Sequence, residues 1–466
     1  MSLLQKKKEF ATLIAFLLIV QFLGAVISLD HLIVSDQFER MRISSEIVKT
    51  EDFPETDNIY GISTIHSYPP LFDVLLASLT ILSGDEFLAL KLLSFIAFFL
   101  LTGFSFLLAR KFFSLELSLL FALLVSFNPW FMKRLLGVIP EPLGFALFIA
   151  VIYFLTEKNH QKLALAFLFL PLIHLRNTAN AVLAIILFIT LVFLKEKKID
   201  WKTLSSVVPG MAVFLLWNYD KLDSVLTLQS FQNPWVLFNG EFAIPLVVIG
   251  FGGLAFEIMN KKKIKDYFKD LNEFFMMKLF GLFSFIVLVF YFFGSKFFAL
   301  RELVFLLVPL IFFSTKLVEK VELRSKIAAG GLVLILIALF AFTPLTEAGN
   351  DSYFTQERMN GIQKLNDFEG ETVFTDFVGS YAVPYYTNKK IVAGAFMESL
   401  PDAQERAEDS FNAFEKCEIS SELIKKYDID LIHLSHFWTS KCAKPANKNF
   451  ELLIEEGDYL IYRVNQ

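Results

Sequence analysis

The chain has 466 residues, of which 55% are hydrophobic, and its mean hydropathy is +0.54. A soluble protein of this length carries more charge on its surface, so the composition excludes a wholly soluble fold. The net charge of −5 is unevenly distributed: residues 346–466 carry 21 of the 48 acidic residues but only 12 of the 43 basic ones. A basic membrane part followed by an acidic tail argues against nucleic acid as a partner.

Apolar runs define the helices of the first three quarters of the chain. They predict eleven membrane spans, at residues 10–29, 87–109, 114–129, 142–156, 163–175, 179–194, 203–218, 242–258, 276–294, 299–315 and 326–344. Lys6, Lys7 and Lys8 precede the first run, which we interpret as a signal anchor. No internal repeat is evident, and this argues against the alternative of a transporter built from inverted halves.

Lysine and arginine cluster at every second connection between these spans. Because basic loops stay in the cytoplasm, the pattern predicts a cytoplasmic N-terminus and an external C-terminus. The apolar segment Leu71–Ser83 would break the alternation if it crossed the membrane, so we expect an interfacial or re-entrant external helix. We expect an integral membrane protein, located in the plasma membrane of a prokaryote. Its transmembrane domain is predicted at 1–345, with a first external loop at 30–86, and its external domain at 346–466.

The tail has the pattern of a small α/β domain. Its strand-like runs and helical stretches are Glu371–Asp376, Asp430–Leu434 and Tyr459–Val464, and Ala403–Phe414 and Ser420–Tyr427. About 120 residues suffice for such a domain to have its own core. Its two cysteines, Cys417 and Cys442, could form one disulfide in an external tail, or stay as two thiols. The predicted fold class is an all-α polytopic membrane domain plus a small external α/β domain.

Two acidic residues stand where the external membrane surface is predicted. Asp36 comes a few residues after the first span, at the depth of a lipid headgroup, and Glu141 lies between two prolines of the second external turn. A carboxylate at that depth can act as a general base or hold a divalent metal, and the two residues could form an acidic pair. The alternative for Asp36 is a solvated carboxylate like its many acidic neighbours in the loop.

Basic residues on the external side go against the usual distribution of charge. Lys133 and Arg134 precede Glu141, Arg176 follows the fifth span, and Arg301 begins the tenth. A charge at the start of a span is costly unless it is paired, and the phosphate of a lipid would pair with it. Snorkelling toward water is the alternative for Lys133 and Arg134.

Four segments resemble motifs of the GT-C glycosyltransferases, in particular the branch of the oligosaccharyltransferase catalytic subunit. Asp36 matches the acid in that family's first external loop, and Lys133 to Glu141 resembles its basic turn before a second acidic motif. Phe298 to Arg301 is similar to its arginine-bearing span. Residues 373–386 run parallel to the segment with its Trp-Trp-Asp-Tyr-Gly motif, although Thr375-Asp376-Phe377 replaces Trp-Trp-Asp.

The resemblance implies an integral membrane enzyme that transfers a sugar from a polyprenyl-phosphate donor to a glycan, lipid or protein acceptor on the external face. It implies catalytic roles for Asp36 and Glu141, which could also hold Mg²⁺ or Mn²⁺. It further implies phosphate binding by the basic residues and acceptor binding by Asp376 and Tyr68. The altered motif, together with the lack of an acid at residues 228–232, favours simple sugar transfer over protein N-glycosylation. A non-catalytic assembly subunit is the other alternative.

Overall fold

The structure is a computed structural model, and it describes residues 36–54, 56–65, 68–219, 271–293, 296–320, 356–376, 379–394, 400, 402–439, 441–445, 448–457 and 459–465. The predicted spans 10–29, 242–258 and 326–344 lie outside these residues. So does the predicted boundary between residues 345 and 346, which therefore stays a prediction.

The described part is mostly helical. Its α-helices are α1 (Asp36–Thr50), α2 (Leu71–Ser83), α3 (Glu86–Ala109), α4 (Leu115–Ser126), α5 (Pro129–Leu136), α6 (Pro140–Thr156), α7 (His160–Ile173), α8 (Leu175–Glu196), α9 (Trp201–Asn218), α10 (Leu271–Phe293), α11 (Lys296–Lys320), α12 (Gln356–Gln363), α13 (Gly379–Thr387), α14 (Ala403–Lys416), α15 (Ser421–Tyr427) and α16 (His436–Thr439).

Its strands are short and lie in two sheets. They are β1 (Thr56–Asp57), β2 (Thr64–Ile65), β3 (Thr372–Thr375), β4 (Lys390–Ile391), β5 (Leu431–Leu434), β6 (Phe450–Glu456) and β7 (Tyr459–Val464). The strands β1 and β2 form an antiparallel pair, and the other five form one sheet in the order β4-β3-β5-β7-β6.

Each of the eight predicted spans that fall on described residues coincides with one of these helices. Three helices of the described part are long and apolar enough to cross a membrane: Glu86–Ala109, Leu175–Glu196 and Leu271–Val289. Shorter apolar helices accompany them, among them α2, which has the bounds expected from the sequence. These helices support an integral membrane protein, and the number of eleven spans stays a prediction.

The chain forms two compact units. One contains the described residues of Lys91–Asp220 and Pro234–Ala348, and the other contains those of Leu29–Leu90 and Gly349–Gln466. The first loop is therefore grouped with the tail, whereas the sequence suggested that it belongs with the transmembrane helices. We call the first the helical unit and the second the mixed unit.

Phenylalanine rings fill the core of the helical unit. Phe145 of α6 lies 4.5 Å from Phe131 of α5 and 5.6 Å from Phe305 of α11, measured between ring centroids. Phe148 lies 5.0 Å from Phe305 in an edge-to-face arrangement. The interaction free energy of such aromatic pairs exceeds the contribution from their buried apolar area alone. These pairs therefore hold α5, α6 and α11 against one another.

In the mixed unit, β4, β3 and β5 are parallel, and β7 and β6 continue the sheet antiparallel. Phe374 and Ile432 belong to the hydrophobic cluster that also includes side chains of α14 and α15. The strands and helices predicted for the tail are confirmed, whereas α12, α13, α16, β4 and β6 were not predicted. Cys417 and Cys442 form a disulfide that ties the end of α14 to the segment after β5.

The first loop packs on this sheet through several backbone and side-chain contacts. Ile391 of β4 donates its backbone N–H to the carbonyl oxygen of Ile59 at 2.7 Å. Tyr385 of α13 donates to Glu86 Oε2 at 2.9 Å, and its ring lies 5.8 Å from that of Phe38 in α1. The loop and the tail are thus one folded unit, although nearly 300 residues separate them in sequence.

Gly144 of α6 sits at a close approach between α6 and the start of α8 in the helical unit. A Cβ at this position would collide with Asn177 Nδ2 and lie 2.7 Å from His174 Cβ. We expect Gly144→Ala to destabilise the helical unit by about 1–3 kcal/mol, since His174 Cβ cannot move without its backbone. Thermal unfolding of the purified protein in detergent would measure this as a lower transition temperature.

Gly103→Ala is the matched control, because a Cβ there would meet nothing within 4 Å. That substitution should leave the transition unchanged or raise it slightly, since alanine favours a helix more than glycine does. Equal transition temperatures for the two variants would show that the contact at Gly144 is not tight.

Candidate functional site

Glu141 lies in the first turn of α6, between two arginines of the helical unit. Its Oε2 atom is 2.6 Å from Arg134 Nη1, and its Oε1 atom is 3.9 Å from Arg176 Nη1. The helix begins at Pro140, where the fixed φ of proline suits the first helical position. A carboxylate in the first turn is also stabilised by the helix dipole. The fold therefore holds an acid between two of the predicted phosphate-binding arginines.

The start of α8 supplies Arg176 and fixes its place. His174 accepts the backbone N–H of Asn177 on Nδ1 at 3.3 Å and so caps the helix. The side chain of Asn177 donates from Nδ2 to the carbonyl oxygen of Glu141 at 3.2 Å. The structure thus gives His174 a role at a helix end.

A second carboxylate, from α11, also engages Arg176. Glu302 Oε1 lies 3.5 Å from Arg176 Nε, and Glu302 Oε2 accepts from Asn180 Nδ2 at 2.9 Å. The sequence did not single out Glu302 as a site residue. The available signal was an acid at the start of an apolar span, which is costly without a partner. We name the four residues Arg134, Glu141, Arg176 and Glu302 the charge chain.

The acids of the charge chain are more deeply buried than its arginines. The side chains of Glu141 and Glu302 are 7–8% exposed, whereas those of Arg134 and Arg176 are both 17% exposed. The arginine side chains are therefore more accessible than the carboxylates that hold them. Guanidinium groups fixed in this way suit recognition of a phosphate, because their planar N–H donors match its oxygens.

Three predicted site residues are described through their backbone only. Asp36 is the first residue of α1, Lys133 lies in α5, and Arg301 lies in α11 next to Glu302. Their side chains lie outside the described part. The predicted pairing of Asp36 with Glu141 and the phosphate contacts of Lys133 and Arg301 therefore stay predictions.

Tyr68 lies in the mixed unit beside a buried ion pair. Its ring covers the guanidinium of Arg40, whose carbon is 4.1 Å from the ring centroid. Arg40 Nη1 in turn lies 2.7 Å from Asp73 Oδ2, and both side chains are at most 1% exposed. The described role of Tyr68 is thus to shield the pair that joins α1 to α2, and acceptor binding by Tyr68 stays a prediction.

Asp376 follows β3 and is engaged by donors of its own unit. Its Oδ1 accepts the backbone N–H of Gly379 at 2.8 Å, and its Oδ2 accepts the N–H and the hydroxyl of Ser435. The residue is 3% exposed. Asp376 thereby joins the ends of β3 and β5 to the start of α13, and any acceptor contact would compete with these bonds.

His433 of β5 lies next to these residues, in register with Thr375. The Thr375 hydroxyl and His433 Nδ1 are 3.0 Å apart, and His433 Nε2 has no hydrogen-bond partner among the described residues. Burial lowers the pKa of His433, although nearby Asp376 acts in the opposite direction. The ring is therefore neutral at neutral pH.

Glu141 does not suit a divalent metal in this arrangement. Each of its carboxylate oxygens faces a guanidinium, and a cation bound there would be repelled by both arginines. No group of three metal-binding side chains occurs among the residues that the structure describes. No step is therefore assigned to a metal at Glu141, while a divalent ion at Asp36 stays a prediction.

No protein-family model matches the chain, and a search of curated proteins finds no match. Solved structures do resemble it. The apo oligosaccharyltransferase of Archaeoglobus fulgidus aligns over 93% of this chain and 72% of its own, with a TM-score of 0.59 at 11% identity. Apo ArnT from Cupriavidus metallidurans aligns over 98% of both chains, with a TM-score of 0.59 at 14% identity.

The arabinofuranosyltransferase AftD from Mycobacteria aligns over 96% of this chain, with a TM-score of 0.60 at 12% identity. The chain spans 39% of the length of AftD. All three similar proteins are membrane glycosyltransferases of one fold superfamily. The chain has the GT-C fold. The predicted resemblance is thus confirmed at the level of the fold, and within this GT-C fold the charge chain belongs to the helical unit.

Acid should weaken the packing around His433. An unfolded histidine takes up a proton below about pH 6.5, whereas the buried ring resists protonation until a lower pH. The free energy of unfolding should therefore fall as the pH drops from about 6.5. Hydrogen exchange of the full-length protein, corrected for the intrinsic rate, should be faster in β3 and β5 at about pH 5.5 than at about pH 7.5.

His433→Gln should reduce this pH dependence, because glutamine does not titrate. His160→Gln, in the helical unit, is the matched control and should leave the effect in β3 and β5 intact. The explanation fails if exchange in the His433→Gln variant responds to pH as strongly as exchange in the unchanged protein.

Proposed function

We propose that the protein is a membrane glycosyltransferase that moves a sugar from a polyprenyl-phosphate donor to an acceptor on the external face. The observation that carries the proposal is the pair of partly exposed arginines, Arg134 and Arg176, held by buried carboxylates in the helical unit. Two positive groups suit a leaving phosphate. Among the similar proteins, ArnT has been solved bound to undecaprenyl phosphate.

The proposed reaction needs one bond to form and one to break. An oxygen of the acceptor attacks the anomeric carbon of the sugar, while the bond from that carbon to the phosphate oxygen breaks. The electron pair stays with the phosphate, whose charge Arg134 and Arg176 stabilise. Asp36 takes the proton of the acceptor hydroxyl as general base. Attack opposite the leaving group inverts the anomeric centre of a β-linked donor.

The remaining predicted residues take supporting roles in this proposal. Lys133 and Arg301 are neighbours in sequence of Arg134 and Glu302, and we assign them further contacts with the donor phosphate. Glu141 orients both guanidiniums of the charge chain rather than reacting itself. The proposal requires Asp36 to come within hydrogen-bond reach of the acceptor.

An external position of the mixed unit is supported by its disulfide between Cys417 and Cys442, because disulfides persist in oxidising compartments.

Simple acceptors are favoured over Asn-x-Ser/Thr peptides, since Thr375-Asp376-Phe377 lacks the tryptophans of the family motif and Asp376 is engaged within its own domain. The oligosaccharyltransferase of Archaeoglobus fulgidus has been solved tethered to a peptide with an NVT sequon, and peptide glycosylation is therefore the second activity to assay.

Asp36→Asn tests the catalytic step. With the full-length protein in nanodiscs, a panel of polyprenyl-phosphate sugars and candidate acceptors, mass spectrometry should detect transferred sugar. The variant should lose at least about 100-fold in kcat, since a general base contributes roughly that much. Asp52→Asn, an exposed acid of the same loop, is the control and should keep full activity. Absence of transfer by the unchanged protein with every donor would favour a non-catalytic subunit.

Arg176→Gln tests the leaving-group interaction. Loss of one preorganised donor at a developing charge should lower kcat/KM by about 100-fold to 1000-fold. Arg110→Gln removes an exposed arginine of the same unit, whose guanidinium contacts a backbone carbonyl, and should have little effect. An Arg176→Gln variant as active as the Arg110→Gln variant would remove Arg176 from the phosphate site.

A further inference from the structure

Arg176 lies between the two carboxylates of the charge chain. Its Nη1 atom is 3.9 Å from Glu141, and its Nε atom is 3.5 Å from Glu302. Arg134 contacts Glu141 from the other side at 2.6 Å. Positive and negative side chains thus alternate through the four residues, and each arginine has at least one carboxylate at ion-pair distance.

Glu302 is held in this position by the helix that carries Arg176. Asn180, one turn after Arg176 in α8, donates from Nδ2 to Glu302 Oε2 at 2.9 Å and to the carbonyl oxygen of Arg176 at 3.2 Å. One turn after Glu302, Phe305 packs on Phe145 and Phe148. A hydrogen bond from Asn180 and the packing of Phe305 therefore hold the carboxylate beside Arg176.

We infer that Glu302 limits how tightly the site retains the spent lipid phosphate, by offsetting the charge of Arg176. This rests on the function proposed above. The donor is a phosphate diester with one negative charge, whereas the product is a monoester whose second pKa is near 6, so it carries nearly two charges at neutral pH. Cations that hold the donor well would hold the product more strongly.

A fixed negative charge near the phosphate reduces the difference in affinity between the product and the donor. Repulsion between Glu302 and the bound phosphate scales with the charge of the phosphate, so it weakens binding of the dianionic product more than binding of the monoanionic donor. Glu302 is 8% exposed, where charge interactions are screened less than on the surface. Glu302 is thus a positioning residue: it holds Arg176 and offsets part of its charge. This offset speeds release of the product.

Glu302→Gln isolates the charge, because glutamine keeps the size and an acceptor oxygen for Asn180. Binding of undecaprenyl phosphate to the full-length protein in nanodiscs should become tighter by about tenfold or more. Under saturating donor, kcat should fall while the first turnover stays fast, which gives a burst of product. A role in stability alone would instead weaken binding or leave the burst absent.

Glu196→Gln is the matched control, since Glu196 is an exposed acid at the far end of α8, the helix that carries Arg176. It should not change either readout. Glu302→Ala also removes the hydrogen bonds, so Arg176 loses its support and binding should be weaker than in the Gln variant. Polyprenol without phosphate should bind the unchanged protein and the Gln variant equally.

The outcomes separate this inference from the function on which it rests. If the unchanged protein binds undecaprenyl phosphate and transfers sugar, but Glu302→Gln binds with equal or lower affinity, the role of Glu302 is overturned and the proposed function stands. If the unchanged protein neither binds the lipid phosphate nor transfers sugar, both proposals fail.

Discussion

The alternation of charges in Arg134, Glu141, Arg176 and Glu302 is the interaction on which the candidate site depends. Buried charges are tolerated in a protein interior only when they are paired and hydrogen-bonded. Here each acid lies against an arginine, and Asn177 and Asn180 donate to the same region. The acids make it possible to keep two partly exposed arginine side chains in an apolar helical unit.

The apolar core explains how these charges keep their positions. Phe145 lies one turn after Glu141 in α6, and Phe305 lies one turn after Glu302 in α11, with their ring centroids 5.6 Å apart. Each of these two helices therefore contributes a ring to the aromatic contact and, one turn away, a carboxylate beside Arg176. The absence of a side chain at Gly144 lets α6 approach the start of α8, which places Arg176 beside Glu141.

The sequence predicted much of the fold because hydrophobic periodicity depends on local burial. Apolar runs located the eight spans that fall on described residues, and strand-like runs located β3, β5 and β7. It did not predict that Glu302 pairs with Arg176, because 126 positions separate them and only tertiary packing joins them. For the same reason, the sequence did not predict the hydrogen bonds between Asp376 and Ser435. It also did not predict that the first loop and the tail belong to one compact unit.

Because the first loop and the tail form one compact unit, the tail contacts the helix that begins at Asp36. In the mixed unit, α1 packs on α2 and α13, its Arg40 is locked to Asp73, and its Phe38 lies against Tyr385 and Tyr386. Asp36 is the first residue of this same helix. The tail therefore supports the first turns of α1 through α13, and a disulfide stabilises the tail. Substitutions in α13 that remove its contacts with Phe38 would therefore weaken the support of the helix that begins at Asp36.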